Sequence, residues 1–291
     1  MTIDTVKAIS RLAGNGMAIE AITDVTDIPS HPGVYVMNEF APSGGIADAD
    51  FVLDPVLLSG IADSAHAVVG GRIAVRYNDG VPPKELEVAA KCFYKRDPED
   101  RFRRAITEAQ IMGEMEAKGM MAYRPVAVAV APDTGRFSRE VILATEYDPS
   151  ILTLDNMPWG RGLNPRNIGT AQRAVCTLAV FNRMGYVHGD AKIKNVAQNE
   201  AGNRMNMIDY ETTTRLDLGN PTEIAHAVHI DLGMLFDSLI KKGVTRHAGV
   251  SPGMRFFENL VGTYLETWND ADLNTQSAVL NAGTEALRSL F

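Results

Sequence analysis

The sequence predicts an α+β chain of two lobes, a small antiparallel sheet carrying one key helix and then a mostly helical lobe. Three observations carry that expectation. Between residues 57 and 148, apolar runs alternate with turns bearing Gly, Pro and Asp, the pattern of short paired strands. Among them, "DPEDRFRRAITEAQIMGEMEAKG" instead spaces Phe102, Ala105, Ile106, Ala109 and Met112 at helical intervals behind an acidic start. Beyond 150, helical periodicity dominates. Strands with one helix, followed by helices, is the order expected of two lobes joined near residues 146–150.

The first 56 residues form an N-terminal extension of uncertain structure, with a short helix over 2–13 capped by Thr2 or Asp4 and a strand at "VYVMNEF" between the turns "SHPG" and "APSGG". The sheet lobe, 57–148, follows with "VLLSGIADSAHAVVGG", "RIAVRY" and "LEVAAKCFYK", the last two parted by "NDGVPP". After the helix come the strands "YRPVAVAVA" and "REVILATEY", joined through "PDTGRFS". The helical lobe, 149–291, holds "GTAQRAVCTLAVFNRMG", which puts Val175, Leu178 and Phe181 on one face and stops at Gly185. An apolar segment around "HIDLGMLFDSLI" and two amphipathic helices complete it.

At 291 residues the chain is long enough for two modest cores, and 45% hydrophobic with 22% charged residues is the balance of a soluble globular protein. A net charge of -8 argues against coating nucleic acid, which needs clustered Lys and Arg. Cys92 and Cys176 stand far apart in apolar surroundings, a pattern of buried thiols rather than of a disulfide or zinc framework. The opening residues lack the features of a secretory signal, and no run reaches the ~18 apolar residues of a membrane span. The expectation is a cytoplasmic protein with neither a membrane nor a nucleic acid as partner.

Chemistry concentrates in "HGDAKIKNVAQNEAGNRMNMIDYE", residues 188–211. "NVAQ" and "RMNMID" have the character of short strands, and "NEAGN" that of the turn between them. Such a hairpin sets Asn195, at the start of its first strand, beside Asp209, at the end of its second. One amide oxygen and one carboxylate are hard ligands suited to magnesium. Asp190, on the loop feeding the hairpin, can accept a proton from or orient a hydroxyl. Lys192 can neutralise charge on a phosphoryl group in transfer.

His188-Gly189-Asp190, Lys192 and Asn195 match H-x-D-x-K-x-x-N, and Asp209-Tyr210-Glu211 stands where D-F-G would. In these residues the chain resembles the protein-kinase-like superfamily. The resemblance implies a bilobal kinase fold, ATP and magnesium as cofactors, and further site residues upstream. Lys91 in "VAAK" is similar to the strand lysine that holds the alpha and beta phosphates, and Glu108 in "EAQIM" to the helix glutamate that holds it. Glu114 and Glu116 are rivals, but Glu108 shares a helical face with Ala105, Met112 and Met115. The phosphate-covering loop would be "SGIADSAHAVV", with Gly60 and Ser64 as contacts and Ala62 and Ala65 where the family has later glycines. A plain turn between strands is the other reading of that loop. Glu146 and Tyr147 in "ATEYDPS" resemble the hinge whose backbone meets the adenine edge. Asp231 in "HIDLGMLF" resembles the helix aspartate that braces the catalytic loop, a structural role shared with His188.

Glu211 in place of the D-F-G glycine resembles small-molecule phosphotransferases such as aminoglycoside and choline kinases, whereas Lys192 resembles Ser/Thr protein kinases. No A-P-E follows Asp209, and the interval to Asp231 is short for a full activation segment. Compact atypical kinases of RIO-like or aminoglycoside-phosphotransferase-like type fit best. The expected activity is ATP- and magnesium-dependent transfer of the gamma phosphate to a Ser or Thr hydroxyl of a protein substrate, which includes the chain itself. The alternatives are a kinase of a small hydroxylated molecule, for which "YLETWNDADLN" would supply an acidic pocket, and a nucleotide-binding pseudokinase.

Overall fold

A computed structural model describes residues 19–22, 27–29, 32–37, 46–53, 67–77, 82, 84–93, 98–118, 123–130, 141–147, 150–160, 162–199, 204–245 and 250–290. The expected helix over 2–13 and the loop candidates Gly60, Ala62, Ser64 and Ala65 lie outside the described residues. The chain divides into two compact units, Met1–Asp148 and Pro149–Phe291.

The first unit is built on one seven-stranded sheet. Its strands are β1 (Ile19–Ile22), β2 (Gly33–Met37), β3 (Ile46–Leu53), β4 (Ala67–Tyr77), β5 (Lys84–Phe93), β6 (Pro125–Val130) and β7 (Val141–Glu146). They lie in the order β1-β2-β6-β7-β5-β4-β3, antiparallel throughout except for the parallel pair β1–β2. Helix α1 (Pro98–Ala117) connects β5 to β6 and packs on β5, β6 and β7. Burial explains the central strands: all six residues of β6 and five of the six in β7 are buried, as the continuous apolar runs "PVAVAV" and "VILAT" require. On α1, Ala105, Ala109, Met112 and Met115 are buried with Glu108 among them.

Two features differ from the sequence expectation. Residues 67–77 form a single strand, although the sequence suggests two runs parted at Gly70-Gly71. Both glycines are held extended because β4 is paired along its length, with β3 on one side and β5 on the other. In addition, β1, β2 and β3 all come from the first 56 residues, so that segment supplies strands to the main sheet at both of its edges.

The second unit is mostly helical, with α2 (Pro165–Arg183), α3 (Pro221–Lys241), α4 (Val250–Glu266) and α5 (Leu273–Arg288). Three of the four starts are written in the sequence. Asn164, Asn220 and Asp272 cap α2, α3 and α5 by accepting from backbone N–H groups of the first turn, and Pro165 and Pro221 occupy the first helical position. The helices bury Leu178, Phe181, Leu232, Phe236, Phe257 and Leu260 against one another. Short strands sit on this core: β8 (Leu152–Thr153), β9 (Tyr186–Val187), β10 (Val196–Gln198), β11 (Met205–Met207) and β12 (Thr214–Arg215). The class is therefore α+β, with a sheet unit followed by a helical unit. Among the described residues no helix is long and apolar enough to cross a membrane.

Candidate functional site

In the first unit, Lys91 projects from β5 and Glu108 from α1, and Lys91 Nζ donates to Glu108 Oε2 over 2.7 Å. The side chains are only 11% and 3% exposed. An ammonium in such an enclosed, apolar setting is costly without a partner, and the carboxylate supplies one. The Phe93 ring adds a face 5.1 Å from the same nitrogen. The rival carboxylates point elsewhere: Glu116 is exposed, 3.5 Å from Arg124, and Glu114 is only partly buried.

At the end of β7, the Glu146 carboxylate takes a two-pronged contact from Arg124, with Nε and Nη2 each at 2.7 Å. The backbone here differs in one respect from the expectation for an adenine-contacting hinge. Glu146 N donates to Arg124 O at 2.9 Å and Tyr147 N to Glu87 O at 3.0 Å, so both N–H groups are already committed to the sheet. An adenine edge would have only carbonyl oxygens to meet at these two residues.

In the second unit, α2 ends at Arg183 and the chain turns through Gly185 (φ +88°) into β9. The segment after β9 is His188 to Asn195. Gly189 adopts φ +75°, and a Cβ there would lie 2.9 Å from Thr212 O, so only glycine fits both the backbone and the space. His188 is fully buried. Its Nε2 lies 2.9 Å from Ile208 O and its Nδ1 takes the Asp190 N–H at 3.3 Å, which places the ring proton on Nε2, since a carbonyl can only accept. Asp231, on α3, is also fully buried. Its Oδ2 accepts from His188 N at 2.9 Å and its Oδ1 from Gly189 N at 2.8 Å. The carboxylate thus fastens the two residues that precede Asp190.

Asp190 is held on both oxygens. Lys192 Nζ donates to Oδ1, and Asn195 Nδ2 reaches Oδ2 at 3.0 Å and the Asp190 main-chain oxygen at 2.9 Å. Lys194 Nζ stands 3.9 Å from Oδ2. Backbone bonds from Lys192 N to Asp190 O and from Asn195 N to Lys192 O, each 2.8 Å, wind the loop tightly enough for these contacts. The hairpin then follows in the register the sequence suggests. Val196 faces Met207, and Ile208 N donates to Asn195 O at 2.9 Å, so Asp209 is one residue beyond the closing bond.

Asp209 has φ 63° and ψ 65°, and it is the only non-glycine residue with positive φ among the described residues. That left-handed conformation costs energy for a residue with a Cβ. Tyr210, next to it, is buried, stacks on Phe181 with ring centres 5.6 Å apart, and donates to Met207 O. Asp209 and Glu211, on either side of it, are partly buried.

The residues fit a magnesium ion. Asn195 spends both N–H groups on Asp190, leaving Oδ1 without a protein donor among the described residues, and Asp209 adds a carboxylate beside the same hairpin end. No group of three or more His, Cys, Asp or Glu suited to a metal occurs among the described residues. Two hard oxygen ligands, with the remainder of the shell left to water and phosphate, is a usual arrangement for magnesium.

Two residues absent from the sequence expectation, on α2 and α4, join the hydrogen bonds behind this loop. Asn182, on α2, donates through Nδ2 to Asp231 Oδ2 at 2.9 Å and to Tyr186 O at 2.8 Å, and its Oδ1 accepts from Tyr264 Oη at 2.6 Å. A polar Asn on the apolar face of α2, six positions before His188, was the available signal for the first; Tyr264 carries none. The acidic segment "YLETWNDADLN" is largely used for structure. Asp270 pairs with Arg183 at 2.8 Å, and Asp272 caps α5. The Arg183 guanidinium holds the Asp270 carboxyl below the usual carboxylate range, and the Thr275 hydroxyl does the same for Asp272.

No family model matches the chain, and no curated protein matches it. Among solved structures, the chain is similar to WaaP in complex with acyl carrier protein, with a TM-score of 0.42 and 16% identity over 78% of this chain and 87% of that one.

Proposed function

We propose that this protein is an ATP- and magnesium-dependent phosphotransferase of the compact atypical kinase type, which moves the gamma phosphate to a Ser or Thr hydroxyl of a protein. The observation that carries the reading is the construction around Asp190. A carboxylate held on both oxygens by Asn195 and Lys192, on a loop fastened from beneath by Asp231, is a preorganised acceptor for a hydroxyl proton. In this reading Asp190 orients the attacking hydroxyl, and Lys192 swings from Asp190 to the transferring phosphoryl group as negative charge spreads over its oxygens. Lys91, kept in place by Glu108, holds the alpha and beta phosphates. Asn195 and Asp209 would hold a magnesium ion, which would supply positive charge against the phosphates. His188 and Asp231 support the loop without touching substrate. Glu146 and Tyr147 border the base through carbonyl oxygens.

Phosphorylation of a small hydroxylated molecule is the second reading, favoured by the Glu211 carboxylate that follows Tyr210. The acidic segment expected to shape its pocket counts against it, because Asp270 and Asp272 are engaged by Arg183 and by the start of α5. Intact-mass spectrometry after incubation with ATP and magnesium tests the proposal. Added mass in steps of one phosphoryl group, abolished in Asp190→Ala, is the expected result. Transfer that survives Asp190→Ala would overturn the mechanism, and binding of ATP with no transfer to protein or to a panel of hydroxylated small molecules would leave a nucleotide-binding module.

A further inference from the structure

The buried hydrogen bonds behind the Asp190 loop continue past Asp231, and their far end is a tyrosine hydroxyl on α4. Tyr264 Oη donates to Asn182 Oδ1 at 2.6 Å. That bond fixes which way the Asn182 amide faces, because its Nδ2 must then serve Tyr186 O at 2.8 Å and Asp231 Oδ2 at 2.9 Å. Rotated by half a turn, the amide would set its oxygen against a carbonyl and a carboxylate, three acceptors with no proton between them. Asn182, Asp231 and Tyr264 are each 0% exposed, so water cannot take over any of these bonds. Asp231 Oδ2 in turn shares its charge between Asn182 Nδ2 and His188 N, while Oδ1 takes Gly189 N.

We infer that Tyr264 is a positioning residue for the Asp190 loop: through the Asn182 amide it sets the orientation of the Asp231 carboxylate, and with it the His188–Gly189 backbone that presents Asp190. The contact chain runs through three helices, α4, α2 and α3, before it reaches the loop. One hydrogen bond joins Tyr264 to Asn182, one joins Asn182 to Asp231 and two join Asp231 to the loop, so a change at the hydroxyl is felt at the loop and not only locally. For catalysis the inference rests on the phosphotransferase reading; as a statement about loop geometry it does not.

The test is amide hydrogen exchange on the full chain, for Tyr264→Phe, Asn182→Ala and the double variant. His188 and Gly189 report on the loop, and the interior amides of Leu232 and Leu235 report on general opening. Tyr264→Phe is expected to speed exchange at His188 and Gly189 by about tenfold beyond any change at Leu232 and Leu235. Asn182→Ala should do the same or more, and adding Tyr264→Phe to it should give no further local change. Acceleration of equal size at all four amides, or a Tyr264→Phe effect that persists in full without Asn182, overturns the inference. If Tyr264→Phe does not fold, the Asn182→Ala pattern alone decides, since uniform acceleration there is equally fatal. A second readout ties the geometry to chemistry: kcat for phosphoryl transfer falls in Tyr264→Phe while KM for ATP stays within twofold. Absence of transfer in the wild type would remove the proposed function and leave the exchange result standing.

Discussion

Lys91 and Glu108 are 17 positions apart in the chain and joined by a 2.7 Å ion pair, with the glutamate side chain 3% exposed. The pair links β5 to α1, and the lysine side chain is only 11% exposed.

Removing one partner should therefore cost more than removing the whole pair. Glu108→Gln removes the carboxylate that faces the enclosed Lys91 ammonium and is expected to destabilise the first unit by about 3 kcal/mol, with Lys91→Met in the same background restoring part of the loss. Denaturant unfolding of the three proteins measures this. Equal stability of Glu108→Gln and wild type would mean that the pair is solvated in solution.

Gly189→Ala should disturb the loop through two independent causes. Its positive φ disfavours a Cβ, and that Cβ would meet Thr212 O at 2.9 Å. A loss of about 1–3 kcal/mol in stability is expected, with transfer activity falling further than stability alone explains. Wild-type activity in the folded variant would show that the position of Asp190 is not critical.

At Asp209, Asn keeps the tolerance for the left-handed backbone and loses the charge. Asp209→Asn is expected to remain folded with its thermal midpoint nearly unchanged, while magnesium-dependent ATP binding weakens by at least about tenfold. Glu211→Gln should weaken it much less. Calorimetry with and without magnesium separates the two, and equal losses would mean that the cation is held differently.

Tyr264 predicts a response to alkali. Burial, and then the charge of nearby Asp231, push its phenol well above the ordinary value of 10.0. The unfolded chain therefore gives up this proton first. The stability tied to the protonated phenol is complete below about pH 10 and is lost as pH rises from there through the folded-state value. The gap in unfolding free energy between wild type and Tyr264→Phe should accordingly narrow from about pH 9 to about pH 11. A constant gap over that range would show that Tyr264 ionises in the fold as it does unfolded.

Local patterns made much of this protein legible. The spacing within residues 188–211, the turn between two short strands, and the Asn, Asp and Pro signals at helix starts are contained in runs of a few residues, where backbone preferences and side-chain caps act without long-range help. Helical periodicity also singled out Glu108 from its rivals, because a residue's face on a helix follows from its spacing alone. Other features needed the assembled structure. The sequence could name Glu146 and Tyr147 as a hinge, but not that sheet pairing spends both of their N–H groups. It placed a strand at "VYVMNEF", where β2 lies, but left the rest of residues 1–56 open, and it could not name β6, far along the chain, as a partner of that strand. Nothing local marks Tyr264, whose hydroxyl matters only because α4 brings it to Asn182, 82 positions away, out of reach of water. Short-range chemistry is written in consecutive residues; the partner that satisfies a buried polar group is chosen only when the helices pack.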